Sequence, residues 1–202
     1  MKLKKWSYKK YLNLDPSEVA RKHQATLKTL EGIPGLSELL APVPVALLAE
    51  HVLRNGVVYV VTDEDKAVAT ASVSAMEPTG KKFMGFKAAE KSEEIIEALN
   101  RAIGDQFESE QSEQGGLVKI EASQPINEPI GLDELGFRVI GYKEKDLWMN
   151  DQLVDILVGE VLNPMLWADA HEAEPEEGDD IGEEVGGEEF QEAEREENAG
   201  CL

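Results

Sequence analysis

A strand-to-helix junction within residues 85–107 carries the side chains of greatest chemical interest in this sequence. The stretch GFKAAEKSEEIIEALNRAIGDQF reads as an extended segment that runs into a helix from about Ser92. A helix N-terminus attracts anions, because its first N–H groups are free and the helix dipole is positive there. Whether this junction holds a phosphate group separates an enzyme from a binding or structural protein.

The side chains around Glu90 predict a junction that the protein fills itself. Ser92 is a residue type that caps helices, and Glu93 and Glu94 are favoured in the first helical turn. Glu90 would place a carboxylate beside any bound phosphate, and like charges repel. We therefore expect no anion here.

The other candidate residues predict neither a metal site nor a nucleophile. His23, His51 and His171 are far apart in the sequence and lack partners at metal-ligand spacing. The single cysteine, Cys201, lies in an acidic segment that disfavours the reactive thiolate. Glu121 lies on a predicted strand and is interpreted as an outward-facing residue, with a general base as the alternative.

The acidic charge of the chain is concentrated near its C-terminus. The 202 residues carry a formal net charge of −21. Fifteen acidic residues and one arginine between positions 169 and 199 contribute −14, so the rest of the chain carries −7. This charge argues against nucleic acid and membranes as partners and favours a protein partner with a basic surface. No apolar run is long enough for a membrane span, so we expect a cytoplasmic protein.

The patterns along the chain predict an α/β domain. Asp15 followed by Pro16 marks the start of a helix. A β-branched run and an alternating run then mark the two arms of a hairpin. The predicted strands are 2–12 (or a basic, aromatic arm), 57–62, 67–77, 82–89, 117–123 and 137–150. The predicted helices are 15–31, 37–40, 45–54, 92–107 and a short one that ends near Gly136.

Two further segments follow the domain predicted at residues 1–150. Residues 152–167 carry apolar side chains at helical spacing, so 151–168 is predicted to be an amphipathic helical extension. Its apolar stripe covers the sheet or binds another protein. In the second case the partner-binding residues are Leu153, Ile156, Leu157, Val161, Met165 and Trp167. Residues 169–202 are rich in Glu and Gly without periodicity and are predicted to be a disordered acidic tail.

The stretch LDELGFRVIGYKEKDLWM at residues 132–149 resembles the C-terminal part of GNAT-type N-acetyltransferases. In that family a short helix ends in Leu-Gly-Phe, here Leu135, Gly136 and Phe137, and leads into a strand. The order of elements over residues 15–149 resembles the same fold. The resemblance implies a GNAT-like mixed, mostly antiparallel sheet flanked by helices, with acetyl-CoA bound between two splayed strands.

Several positions depart from the pattern that the resemblance implies for catalysis. The cofactor-loop motif of the family falls on Lys87, Glu90 and Ser92, where glutamate replaces the first glycine. The frequent general acid of the family is a tyrosine four residues before the glycine of Leu-Gly-Phe. Leu132 occupies that position, and Tyr142 lies downstream on the strand.

Two functions are compatible with these residues. The first is a catalytically degenerate GNAT-like domain that uses no cofactor and acts as a structural or protein-interaction module. Such domains occur among bacteriophage virion and accessory proteins, which would place this chain in a virion. The alternative is an active acyl-CoA-dependent N-acetyltransferase that acts on an amine. Its cofactor-binding residues would be Phe86, Lys87, Ala88 and Asn127.

Overall fold

The computed structural model describes residues 1–7, 14–54, 56–74, 78–109, 116–149, 152–164 and 166. The helices in this part of the chain are α1 (Pro16–Glu31), α2 (Leu36–Leu40), α3 (Val45–Leu53) and α4 (Glu93–Ser109). The strands are β1 (Lys2–Ser7), β2 (Val57–Asp63), β3 (Lys66–Val73), β4 (Lys81–Ala88), β5 (Lys119–Pro125), β6 (Arg138–Met149) and β7 (Gln152–Leu162).

Local signals in the sequence place the first helix and the hairpin correctly. The Asp15 side chain accepts hydrogen bonds from the backbone N–H groups of Ser17 and Glu18, at 2.8 and 3.0 Å. β2 and β3 form the predicted hairpin. Glu64 and Asp65 connect them with φ values of 45° and 68°, as a two-residue turn between twisted strands requires.

All seven strands form one sheet in the order β1-β2-β3-β4-β5-β7-β6. Neighbouring strands are antiparallel, except that β4 and β5 are parallel. α4 lies in the crossover that a parallel pair needs. The predicted fold class, a mixed and mostly antiparallel sheet flanked by helices, is confirmed.

β2 is buried on both faces, which explains its unbroken apolar run. Val58 and Val60 belong to a cluster that includes side chains of α1, α2 and α3. Tyr59 and Val61 belong to a second cluster, which includes side chains of α4. Helices therefore cover both faces of the central strands and fix the position of β4 in the sheet.

A polar network links α4 to the sheet inside the second cluster. Tyr59 donates its hydroxyl to Asp105 and accepts a hydrogen bond from the Gln106 side chain. The buried Lys82 donates to Gln106 at 2.9 Å, and Lys5 donates to Asp105 at 2.5 Å. Burial acts to raise the Asp105 pKa, but the hydrogen bonds from Lys5 and Tyr59 outweigh it and lower that pKa.

Residues 152–162 form strand β7, so the helix predicted over 152–167 is wrong. β7 lies between β5 and β6 and pairs with both. Its β-branched residues Val154, Ile156 and Val158 fit a strand that has neighbours on both sides. The segment predicted as a helical extension is therefore part of the sheet as far as Leu162.

The four predicted partner-binding residues that the structure describes differ in exposure. Leu153 is 49% exposed, whereas Ile156 is buried. Leu157 and Val161 are partly buried and pack against the cluster that contains α4. Met165 and Trp167 lie outside the described residues, as does the predicted tail at 169–202.

Turns over residues 126–136 replace the short helix predicted before Gly136. Gly136 has a φ of 75°, a conformation that suits glycine because it has no Cβ. These turns, called here the connector, join β5 to β6.

Candidate functional site

The parallel strands β4 and β5 separate after one half of their length. Their pairing runs from Lys81 opposite Lys119 to Met84 opposite Ala122, and then stops. Pro125 lies at the end of β5 and has no N–H to donate to a neighbouring strand.

The separation leaves part of the β4 backbone without a neighbouring strand. In an antiparallel pair, alternate residues direct their N–H and C=O groups to one neighbour. The Ala89 N–H donates to the Val68 C=O of β3 at 2.9 Å. Lys87, two residues earlier in the chain, therefore also directs its backbone groups toward β3. Phe86 and Ala88 therefore direct their backbone groups into the space between β4 and β5. That space is called here the splay.

A narrow recess, partly open to solvent but without room for a water molecule, lies at the splay. Its lining is mostly apolar, with one amide and two charged side chains. The lining residues are Phe86, Lys87, Ala88, Leu99, Gln124, Glu128, Ile130 and Leu135. β4, β5, α4 and the connector thus all contribute to it.

Gln124 carries an unused acceptor at this recess. Its side chain is 4% exposed, and its Nε2 donates to the Ile130 carbonyl of the connector. Its Oε1 is one of three buried side-chain polar atoms without a hydrogen-bond partner among the described residues. A buried acceptor without a donor destabilises the protein unless a ligand or water supplies the donor.

Two charged side chains lie at the rim of the recess. Burial raises the pKa of Glu128, and the nearby Lys87 ammonium acts in the opposite direction. Lys87 donates to the carbonyls of Leu40 and Ala41 at 3.4 and 2.7 Å. The end of α2 therefore holds the Lys87 ammonium, which leaves it poorly placed to hold a phosphate.

The N-terminus of α4, which follows β4 directly, is occupied by the protein's own groups. Ser92 Oγ accepts a hydrogen bond from the Ile95 N–H at 3.2 Å. Lys91 pairs with Glu134 of the connector, which lowers the pKa of the Glu134 carboxyl and raises that of Lys91. Glu90 is exposed beside them. The prediction that Ser92 caps this helix is confirmed.

Comparison with solved structures identifies the architecture. Two mutant forms of the spermidine N-acetyltransferase SpeG from Vibrio cholerae each superpose with a TM-score of 0.50 and 15% identity, over 84% of this chain and 99% of their own. The fold is GNAT-type. A ribosomal-protein-S5-alanine acetyltransferase from Vibrio fischeri matches at 25% identity and a TM-score of 0.45, over 58% of this chain and 66% of its own. No protein-family model and no curated protein sequence matches the chain.

Within the GNAT fold, the residues implied for the cofactor are only partly brought together. Phe86, Lys87 and Ala88 line the recess at the splay. Asn127 is an exposed residue of the connector and is not among the lining residues, whereas its neighbour Glu128 is. Sequence reasoning missed Glu128 and Gln124, because their roles depend on the connector folding back over the end of β5.

Leu132 and Tyr142 are the two residues considered for the general acid of the GNAT family. Neither is suited to that role. Leu132 is fully buried in the cluster that contains α4. The Tyr142 hydroxyl donates to Asp155 at 2.5 Å, and this bond raises the Tyr142 pKa to about 12. A tyrosine with that pKa and that partner is a weak proton donor near neutral pH.

Glu121 lies in an ion-pair cluster on the opposite face of the sheet from Ile120 and Ala122. Its carboxylate is 2.8 Å from Lys119 Nζ and 3.8 Å from Lys81 Nζ. The outward-facing interpretation from the sequence is consistent with this position.

The described ranges contain neither a metal cluster nor a membrane-spanning helix. No group of three or more His, Cys, Asp or Glu side chains there is placed to hold a metal ion. No helix among those residues has the length and apolar character needed to cross a bilayer.

Proposed function

We propose that this GNAT-fold domain does not use acyl-CoA and acts by binding another protein. The observation that carries the proposal is the occupied N-terminus of α4, where Ser92 caps the Ile95 N–H. In the family that the fold resembles, this is the end expected to receive the cofactor pyrophosphate.

The charges around α4 also disfavour a bound pyrophosphate. Glu90 is exposed at the junction, and Glu93 and Glu94 follow in the first turn. A carboxylate 4 Å from one phosphate charge costs about 1 kcal/mol in water, and more where solvent is excluded. Lys91 offers little compensation, because Glu134 already pairs with it.

Exposed apolar side chains on the β6–β7 hairpin support a role in protein contact. Val139, Ile140, Tyr142 and Leu153 are each 45–50% exposed. Three of them, Val139, Ile140 and Tyr142, lie within four residues of β6, and groups of exposed apolar side chains are a feature of interaction surfaces. The net charge of −21 favours a partner with a basic surface, as the sequence also predicts.

The second candidate function is an acyl-CoA-dependent N-acyltransferase with an amine substrate. The observation that favours it is the pair of β4 residues, Phe86 and Ala88, whose backbone groups face the splay. These groups match those that the resemblance assigns to the pantetheine arm. Glu128, with its raised pKa, would then be the nearest candidate for a general base.

Thermal unfolding of the full chain with acetyl-CoA separates the two functions. A ligand that binds only the folded state at 100-fold above its Kd stabilises that state by about 2.7 kcal/mol. We expect millimolar acetyl-CoA to leave Tm unchanged. A rise of several degrees, followed by acetyl transfer to an amine, would favour the second candidate.

A further inference from the structure

We propose that residues 169–199 of this chain, called here the acidic segment, bind along β1, the basic edge strand of the same molecule. The contact goes beyond the proposed function, because it lies within one chain and does not depend on whether acyl-CoA binds. It names an occupant for one edge of the sheet, and it makes β1 a competitor of any basic protein that binds the acidic segment.

β1 is the basic edge of the sheet. It stands first in the strand order, so no described strand lies on its outer side. Lys2, Lys4 and Lys5 make up half of its six residues, and the strand has no acidic residue. The other edge strand, β6, carries three basic and two acidic residues. The charge is therefore +3 on β1 and +1 on β6, so β1 is the edge that attracts an acidic segment more strongly.

The lysines of β1 lie on both faces of this edge. Lys4 pairs with a β2 residue of the cluster that contains α1, and Lys5 pairs with one of the cluster that contains α4. Lys5 donates to Asp105 at 2.5 Å. The exposed Lys2 Nζ is 3.8 Å from Asp65 Oδ1. An ammonium has three donor hydrogens and exposed ion pairs are weak, so carboxylates of the acidic segment can join or replace these partners.

The acidic segment has the charge that complements this edge. Its fifteen acidic residues and one arginine give −14, whereas the rest of the chain carries −7. The domain as a whole therefore repels the segment, and β1 is a place where the sign is reversed. Charges in solution act over about 10 Å at 0.1 M ionic strength, so the lysines of β1 outweigh more distant carboxylates.

The sheet brings the start of the acidic segment within reach of β1. The register places Ser7 of β1 in line with Gly159 of β7, through paired residues of the four strands between them. Five steps between neighbouring strands span about 24 Å. Asn163, just after β7, is held by the carbonyls of Leu117 and Val118. About twelve extended residues beyond this point span about 40 Å, so the chain reaches β1 with most of its acidic residues still to follow.

A nearer group of basic side chains is already paired. Lys119 and Arg138 both pair with Glu160, which is 8% exposed, and Lys119 also pairs with Glu121. Solvent screens an ion pair with a buried carboxylate less than it screens an exposed pair, so these partners are exchanged less readily. β1 is therefore the better site for the acidic segment.

Paramagnetic broadening of NMR signals in the full chain tests the contact. A nitroxide attached to Cys201, the single cysteine, lies two residues after the acidic segment. We expect it to broaden the backbone amide signals of β1 at low salt. The signals should recover at about 1 M salt, where the screening length falls to about 3 Å. A second label, on Val185→Cys in a Cys201→Ser chain, reports on the middle of the segment.

Two matched double variants localise the contact. Lys2→Gln with Lys4→Gln removes two positive charges from β1, and Lys143→Gln with Lys145→Gln removes two from β6. The β1 variant should weaken the broadening of β1 signals at least about twofold, because it removes most of the attracting charge. The β6 variant should leave that broadening unchanged. If the β1 variant does not fold, Lys2→Gln alone serves, since that side chain is 75% exposed.

Several results would overturn the inference. They are no broadening of β1 by either label, equal broadening of β6, and broadening that neither salt nor the β1 substitutions reduce. Broadening of an isotope-labelled chain without nitroxide, mixed with an unlabelled chain that carries it, would also overturn the inference, because the contact would then lie between copies. Acetyl-CoA binding tests the proposed function separately, so the failure of one does not imply the failure of the other.

Discussion

Ser92 Oγ accepts the N–H of Ile95 at 3.2 Å and thereby satisfies one of the free donors at the start of α4. The same N-terminus is the end where the resemblance to GNAT proteins implies the cofactor pyrophosphate. The cap and the neighbouring Lys91–Glu134 pair close this end with groups of the protein itself. This arrangement stabilises α4 and leaves one fewer free N–H group at this end for an anion.

The cap should contribute measurably to stability. Ser92→Ala is expected to lower the free energy of unfolding by about 1 kcal/mol, within the range of 0.5–2 for the loss of such caps. Urea unfolding measures the change. Ser37→Ala, at an exposed residue of α2, is the matched control and should have a smaller effect. Equal effects would mean that Ser92 does not act as a cap.

The buried network around Tyr59 should be more sensitive than an exposed tyrosine. Tyr59→Phe removes the hydroxyl that donates to Asp105 and accepts from Gln106, so we expect a loss of about 1–3 kcal/mol. Tyr142→Phe, at a residue that is 50% exposed, should cost less. Chemical denaturation of both variants gives the comparison, and the reverse order would contradict the assigned network.

The same network predicts a dependence on low pH. The Asp105 pKa is lowered in the folded protein, because the bonds from Lys5 and Tyr59 outweigh burial. Its contribution to stability is therefore present above the unfolded pKa of about 3.9 and is lost as the pH falls through the folded value. Asp105→Asn should reduce the acid-induced loss of stability. An unchanged pH profile would argue against this assignment.

Tyr142 and Asp155 should titrate as a linked pair at high pH. The Tyr142 pKa is about 12, chiefly through its hydrogen bond to Asp155. A raised pKa stabilises the fold below the unfolded value of about 10, and this contribution is lost as the pH rises towards 12. The tyrosinate absorbance of Tyr142, isolated by difference from Tyr142→Phe, should move towards lower pH in Asp155→Asn. No movement would refute the link.

Leu153 and Ile156 would both lie on the apolar stripe of the predicted helix, but in strand β7 they differ in burial. Ile156 is 7% exposed and pairs with Lys143, while Leu153 is 49% exposed. Ile156→Ala should therefore cost about 2–5 kcal/mol. Leu153→Ala should change stability by about 0.5 kcal/mol or less. Equal costs in denaturant titrations would favour a helix with one buried stripe.

Features set by neighbouring residues could be predicted from the sequence. The Asp15 cap, the β2–β3 hairpin and the Ser92 cap each depend on a few adjacent residues, and each is present. The segment that became β7 could not be predicted in this way. Its apolar residues satisfy a helical stripe as well as a strand, and only the pairing of β7 with β5 and β6 decides between them.

The candidate site was predictable on its β4 side only. Phe86, Lys87 and Ala88 follow from the position of the strand before α4. Glu128 reaches the recess through the connector, and Gln124 of β5 bonds to the connector there, so both depend on a path set by contacts distant in the sequence. Pro125 was a usable signal for the end of β5, because proline is tolerated at a strand end and brings no N–H.

Calorimetric titration of acetyl-CoA into the full chain, at an ionic strength that screens the acidic charge, tests the central claim most directly. Glu90→Gln serves as the matched variant, because it removes one exposed carboxylate and leaves the Ser92 cap in place. We expect no binding to the natural chain up to millimolar ligand. Micromolar binding would contradict the account, since the N-terminus of α4 would then accept a pyrophosphate despite Ser92 and Glu90.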